Sequence, residues 1–213
     1  QISEAITGLL DYRSGTITVN GEDVKGKSIR KIREMGVSHV SEDRMTYGIA
    51  ADSGVKDNVI SDRYYKKEFN KGLFLDDKKI NNLADQLIKD FLIKCDNRDS
   101  AVRMLSGGNM QKVVTAREFT TGASLIVANQ PTRGIDIGAK KLVLETLVKL
   151  NREKNMTVVI ISSELQELRS ISDRIAIVSE GKLVDVLAPD ASDADFGLAM
   201  SGIKPSEHNK KEG

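Results

Sequence analysis

Two hydrophobic periods share this chain. Ile2, Ala5, Ile6, Leu9 and Leu10 fall on one face of a helix that is already under way at the first residue. "GTITVNGEDV" (15–24) then alternates apolar and polar residues around Asn20-Gly21, which predicts a β-hairpin. "SIRKIREMG" predicts a short helix stopped by Gly36, and "VSHV" a short strand running into Ser41-Glu42-Asp43-Arg44. From residue 46 to about 104 the chain becomes rich in Lys, Asp and Asn. It carries one clear amphipathic helix there, through Ile80, Leu83, Ala84, Leu87, Ile88 and Phe91. This stretch reads as an all-helical insertion.

Beyond about residue 120 the pattern is strand, helix, strand, the signature of an α/β layer. "SLIVAN" is a strand, "GAKKLVLETLVKLNREK" a helix, and "MTVVIIS" a continuous apolar strand of the kind buried on both faces of a parallel sheet. "SELQELRSIS" follows as a helix and "RIAIVSEGKLVDVL" as a hairpin turning at Glu180-Gly181. The last residues, "KPSEHNKKEG", are polar and predict a frayed tail.

Composition narrows the class without naming a function. The chain has 213 residues, 39% hydrophobic and 30% charged, a balance that suits a globular protein. Lys+Arg is 32 and Asp+Glu 31, so net charge gives no push toward nucleic acid. No apolar run approaches the roughly 20 residues of a membrane span. A single cysteine, Cys95, excludes an internal disulfide framework. With two histidines, His39 and His208, it leaves too few soft ligands for a zinc site. Cys95 reads as structural, and Met110 as a packing residue. Tyr64, Tyr65 and Phe69 among the lysines of "DRYYKKEFNKG" fit a surface turned toward a protein partner better than one for nucleic acid.

The chemistry concentrates in two stretches. In "LSGGNMQKVVTARE" (105–118) Ser106 caps a helix, while Gly107 and Gly108 let a ligand approach the backbone. Free N–H groups at such a helix start favour a phosphate. In "SLIVANQPTRGID" (124–136) a buried strand ends in Asn129-Gln130, two amides where a nucleotide-hydrolysing site would carry two carboxylates.

The order of these motifs resembles the ATP-binding cassette family. "LSGGN" looks like its signature, "LIVANQP" like Walker B, "RGID" like the D-loop, "IISSEL" like the switch-histidine segment, and "SDRIAIVSEGKLV" like the closing hairpin. The likeness runs to about residue 187. "LSGGNMQK", "PTRGIDIGAK", "ISSEL" and "VSEDR" resemble the second cassette of double-cassette ATPases serving simple-sugar importers, and "ANQPTRG" the nucleoside branch of that group.

The resemblance implies an α/β fold, an ABC-type P-loop NTPase cassette with a parallel-sheet core and a helical subdomain. Residues 1–45 would be a remnant of the core, 46–118 the helical subdomain ending in the signature helix, 119–187 the rest of the core, and 188–213 a C-terminal helix and polar tail. The Walker A loop, G-x-x-x-x-G-K-[ST], is absent. The family's spacing to Gly8 places its end just before Gln1, so the first sheet strands are absent with it.

The resemblance also assigns residues. Asn129 stands at the place of the Walker B Asp that helps hold Mg²⁺; an amide oxygen coordinates without bringing charge to a hard cation. Gln130 stands at the place of the catalytic Glu and Ser163 at that of the switch His. An amide in place of a positioned general base costs on the order of 10²–10⁴ in rate. Ser106, Gly107, Gly108 and Asn109 would meet ATP bound by a facing cassette, Glu42 takes the Q-loop place, and Asp136 belongs to the D-loop. Arg133 reads as either a solvated loop residue or an interfacial contact.

The implied cofactors are ATP and Mg²⁺. The implied partners are a first cassette on the same polypeptide, membrane permease subunits and, indirectly, an extracytoplasmic solute-binding lipoprotein, with no nucleic acid. The implied location is the inner face of the plasma membrane. A regulatory cassette that holds nucleotide without turnover, and a soluble ABC ATPase unconnected with transport, stand as alternatives.

Overall fold

A computed structural model describes residues 1–205. The polar tail from residue 206, His208 included, lies outside the described residues. Contacts gather the chain into two units, Gln1–Ile161 and Ser162–Gly213.

The first unit opens with α1 (Ile2–Thr7), shorter than the apolar spacing predicts. Gly8 ends it in the left-handed region at φ 75°, where a side chain would meet Ile32 Cδ1 at 2.6 Å. Leu9 and Leu10 therefore leave the helical face and are exposed, and α1 buries Ser3 and Thr7 instead. β1 (Thr18–Val19) and β2 (Glu22–Asp23) pair antiparallel across Asn20 and Gly21. Both turn residues have positive φ, as a tight primed turn requires. α2 (Ile29–Glu34) starts at Ser28, whose hydroxyl accepts from Lys31 N–H, and ends before Gly36.

β3 (Val37–Val40), β6 (Leu125–Asn129) and β7 (Thr157–Ile161) form a parallel sheet in the order β3-β6-β7. Ile126, Val127 and Ala128 on the central strand are wholly buried. β7 departs from expectation: its residues are half-buried, and Thr157 is exposed. It is the edge of this sheet among the described residues, so it lacks a neighbour on one side. α6 (Ile137–Lys154) connects β6 to β7, buries Ala139, Val143 and Leu147, and ends at Asn155 with φ 53°.

Between β3 and β6 lies the insertion. It holds α3 (Val55–Ile60), α4 (Asp77–Asp90) and α5 (Gly107–Phe119). α4 buries Ile80, Ala84 and Leu87, the stripe its spacing predicts. The insertion is not all helical: β4 (Asn70–Lys71) and β5 (Phe74–Leu75) make a hairpin. Gly72, at φ 65°, sets its turn, and helical periodicity gives no sign of two-residue strands.

One buried carboxylate joins the insertion to the sheet. Glu118, near the end of α5, is 1% exposed. It accepts from Arg33 Nη2 at 2.7 Å, Ser38 Oγ at 3.0 Å, the His39 backbone N–H at 3.2 Å and Arg117 Nε at 2.9 Å. Burial pushes its pKa up, but the charges of Arg117 and Arg33 and their hydrogen bonds outweigh that and hold it at about 2. Beside it Arg63, itself buried, donates to the backbone carbonyls of Arg117 and Thr120 and neutralises the negative end of α5.

The second unit contains α7 (Leu165–Ile171), the antiparallel pair β8 (Ile175–Ser179) and β9 (Lys182–Leu187), and α8 (Asp193–Met200). Glu180 and Gly181 turn the hairpin with positive φ. Ile175, Ile177, Phe196 and Ala199 form its core.

Removing the Glu118 charge leaves two arginines facing a neutral amide. Glu118→Gln should lower unfolding free energy by about 3 kcal/mol at pH 7. A folded pKa near 2 against an ordinary 4.5 contributes stability that is complete above pH 4.5 and is lost as pH falls toward 2. The gap between wild type and variant should therefore narrow across that window in urea titrations.

Candidate functional site

Three loops carry the candidate residues of the first unit. The first follows β3. Asp43 accepts from the N–H groups of Met45 and Thr46 and starts a π-helical turn, Arg44–Gly48, a rare geometry frequent at functional sites. The Thr46 side chain, followed by these backbone N–H groups, lowers the Asp43 pKa, so it is fully ionised at neutral pH. Glu42, just before it, pairs with Arg133. Arg133 thus has an intramolecular partner, and since both side chains are exposed the pair is worth about 1 kcal/mol or less.

The second loop begins α5. Ser106 is exposed; its hydroxyl accepts from the Asn109 N–H at 3.4 Å and side-chain amide at 2.9 Å. Asn109 Oδ1 accepts from Lys94 N–H at 2.9 Å, tying the helix start to the turn after α4. Asn109 is engaged within the chain on both sides. Gly107 and Gly108 differ in what holds them. A Cβ on Gly107 would sit 3.0 Å from Arg44 Nη2. A Cβ on Gly108 would find only ordinary contacts, the nearest being Ile135 Cα at 3.7 Å. Nothing in this chain requires glycine at position 108.

The third loop leaves β6. Asn129 Nδ2 donates to Ser3 Oγ at 3.3 Å. Gln130 adopts φ 50°, a left-handed conformation that costs an unbranched residue on the order of 1 kcal/mol or more. Backbone bonds pin it there: its N–H donates to Ile161 O at 2.8 Å and its carbonyl accepts from Arg133 N–H at 3.1 Å. Asp136 caps α6, accepting from Ala139 N–H at 2.9 Å, and that bond lowers its pKa.

The fold brings Asn129 and Glu42 onto one cleft of about 370 Å³, lined also by Ser3, Glu4, His39 and Arg133. His39 is considered in the sequence only for zinc. In the fold its Nε2 is buried without a hydrogen-bond partner. Burial lowers its pKa below 6.5, so the ring is neutral at pH 7. Arg44 is the other residue that sequence reasoning passes over. The "VSEDR" stretch contains it, but no local pattern shows that its guanidinium reaches Gly107 and Gly134. Ser163, in the second unit, is exposed, and it is the neighbouring Ser162 whose hydroxyl accepts from Glu164 N–H.

The donor set at the end of β6 does not suit Mg²⁺. Asn129 and Gln130 are neutral amides, and among the described residues no group of three or more His, Cys, Asp or Glu is placed to hold a metal. The start of α5, with its exposed cap and no close contact over Gly108, does suit a phosphate. Burial, with Asp96 adding to it, pushes the Cys95 thiol pKa up, which keeps it protonated and unreactive at neutral pH.

The family model described as ABC transporter matches residues 2–133, and the chain belongs to that family. Its fold is that of an ABC-type P-loop NTPase cassette: it superposes with TM-score 0.75 on the dimeric structure of a post-hydrolysis ATP-binding cassette bound to ADP and Pi, over 90% of this chain and 80% of that one, at 18% identity. The ABC ATPase family uses ATP and Mg²⁺. Among curated relatives, the guanosine import ATP-binding protein NupO of Bacillus subtilis is 35% identical over the whole of this chain and 42% of its own length. The nucleoside import ATP-binding protein NupA of Lactococcus lactis is 36% identical over 95% of this chain and 40% of its own. The glucose import ATP-binding protein TsgD13 of Haloferax volcanii is 37% identical over 95% and 37%. The chain spans about two fifths of the length of these relatives. Among the described residues no helix is long and apolar enough to cross a membrane.

Truncating a buried strand residue tests that the sheet holds the Asn129-Gln130 loop. Val127→Ala should lower unfolding free energy by about 2–3 kcal/mol, read by urea denaturation. An unchanged midpoint would mean that the sheet is not the support of the site.

Proposed function

We propose that this chain is the second of two cassettes in an ATP-binding subunit that powers sugar or nucleoside import. The names of the relatives support a nucleoside or a simple sugar as the transported solute, with nucleoside favoured. Two cassettes of this size also fit the relatives' length. The working partners are the first cassette of the same polypeptide, permease subunits in the membrane and, through them, an extracytoplasmic solute-binding lipoprotein. The subunit works at the inner face of the plasma membrane.

Within that assembly the half represented here is asymmetric in its chemistry. Its Walker side presents Asn129 and Gln130, and an amide does not take the proton of an attacking water. The place of the switch His holds Ser163. Its signature side, Ser106, Gly107, Gly108 and Asn109, completes the ATP site of the first cassette. Glu42 stands at the Q-loop place between nucleotide and permease, and Asp136 shapes the D-loop at the dimer face. The observation that carries this reading is Gly108: the chain's own packing leaves room for a methyl group there, so the glycine serves something outside the chain.

Gly108→Ala separates the two demands. In this chain its stability should be unchanged or higher by up to about 1 kcal/mol. In the complete subunit the added methyl should obstruct the phosphate and lower ATP turnover by about tenfold or more. Undiminished turnover would make this half a regulatory cassette without a role in trans. Gln130→Glu in the complete subunit should raise hydrolysis at this half. The isolated chain should show no ATPase activity and no micromolar heat of ATP binding by calorimetry.

A further inference from the structure

We infer that Arg44 is a positioning residue that locks the signature loop and the D-loop into one rigid face, so that the loop after β3 moves both together. The guanidinium lies between the two loops. Nη1 donates to the Arg133 carbonyl at 3.3 Å, immediately before Gly134. Nη2 lies against Gly107, 3.0 Å from where a side chain would begin, and 3.6 Å from the same point on Gly134. Gly107 is thus held tight by Arg44, whereas the contact at Gly134, like those at Gly108, is an ordinary van der Waals one. Gly134 has φ 71°, so its lack of a side chain serves the turn that carries the Arg133 carbonyl to Arg44.

The backbone at Arg44 is itself fixed. It is the first residue of the π-helical turn capped by Asp43, and its carbonyl accepts from Ile49 N–H at 2.9 Å. Gly48, at the end of the turn, packs against Arg44 Cβ and the Val114 side chain of α5, where a Cβ would sit 3.1 Å and 3.4 Å away. Next to it the Glu42–Arg133 pair ties the loop after β3 to the loop after β6 a second time. A displacement of residues 42–48 is therefore passed to Gly107 and to Arg133–Gly134 through one planar group. A lysine has one ammonium and does not span both loops.

The catalytic consequence rests on the in-trans reading of the signature; the clamp itself does not. In this chain, Arg44→Met keeps the apolar stem and removes the fork. Hydrogen exchange should rise about tenfold at the amides of Asn109 and Met110 and at those of Arg133, Ala139 and Lys140, with the urea midpoint little changed. Arg44→Lys should restore protection at one loop at most. Unchanged exchange at either loop, full restoration at both by lysine, or a general rise with a lowered midpoint would each overturn the clamp.

In the complete subunit, Arg44→Met should lower kcat about tenfold with KM for ATP within about twofold, the pattern of lost positioning. If Gly108→Ala abolishes turnover while Arg44→Met leaves kcat intact, the clamp does not serve catalysis and the proposal falls. If Gly108→Ala has no effect, the in-trans reading falls alone and the exchange measurement decides the clamp.

Discussion

The site depends on a carboxylate far from it. Glu118 is buried against the sheet with its charge balanced by Arg33 and Arg117, and its oxygens also take the Ser38 hydroxyl and a backbone N–H of β3. Burying such a charge alone is prohibitive; with its partners present it becomes a specific joint between α2, β3 and α5. Arg63 closes the same end of α5 by binding its last carbonyls. α5 has 13 residues, roughly 20 Å of rigid rod. Fixing one end near the sheet therefore aims the other end, where Ser106, Gly107 and Gly108 stand.

The two ends of that rod have opposite requirements. The Glu118 end is satisfied from within: each oxygen finds donors in the chain. The Ser106 end is at the surface, with an exposed cap whose oxygens take, among the described residues, only the Asn109 and Met110 N–H groups and the Asn109 amide. The loop after β6 is a third case. Gln130 is held in a left-handed conformation by two backbone hydrogen bonds, so its placement is dictated by the sheet rather than by its side chain. The two side chains that leave the end of the strand, Asn129 and Gln130, are both neutral amides.

Much of this was legible in the chain because it is local. The Asn20-Gly21 and Glu180-Gly181 turns, the Ser106 cap and the Ile80–Phe91 stripe are each set by a few neighbouring residues, and each lies where the pattern predicts. What was not legible is what neighbours cannot encode. Glu118 reads as an ordinary charged residue at the end of a helix until Arg33 and Ser38, about 80 positions away in sequence, are brought beside it. Arg44 is likewise defined by glycines it meets only in three dimensions. Leu9 and Leu10 mislead in the opposite sense, since they keep helical spacing past a glycine that ends the helix. β7 reads as doubly buried from composition, but burial is set by neighbours on either side, and among the described residues it has a strand on one side only.

Gly108 gives this architecture an unusual kind of visibility. Most glycines in a fold serve the fold, so replacing them confounds loss of function with loss of structure. At Gly108 the two are uncoupled, because the surrounding atoms tolerate a methyl group. A helix-forming residue there is compatible with the fold, so any loss of turnover it caused would not come from unfolding. Random mutagenesis scored on stability and on activity in parallel would make this position stand out from its neighbours, with no structure consulted. A position at which stability and activity part company would mark a surface used by something other than the fold.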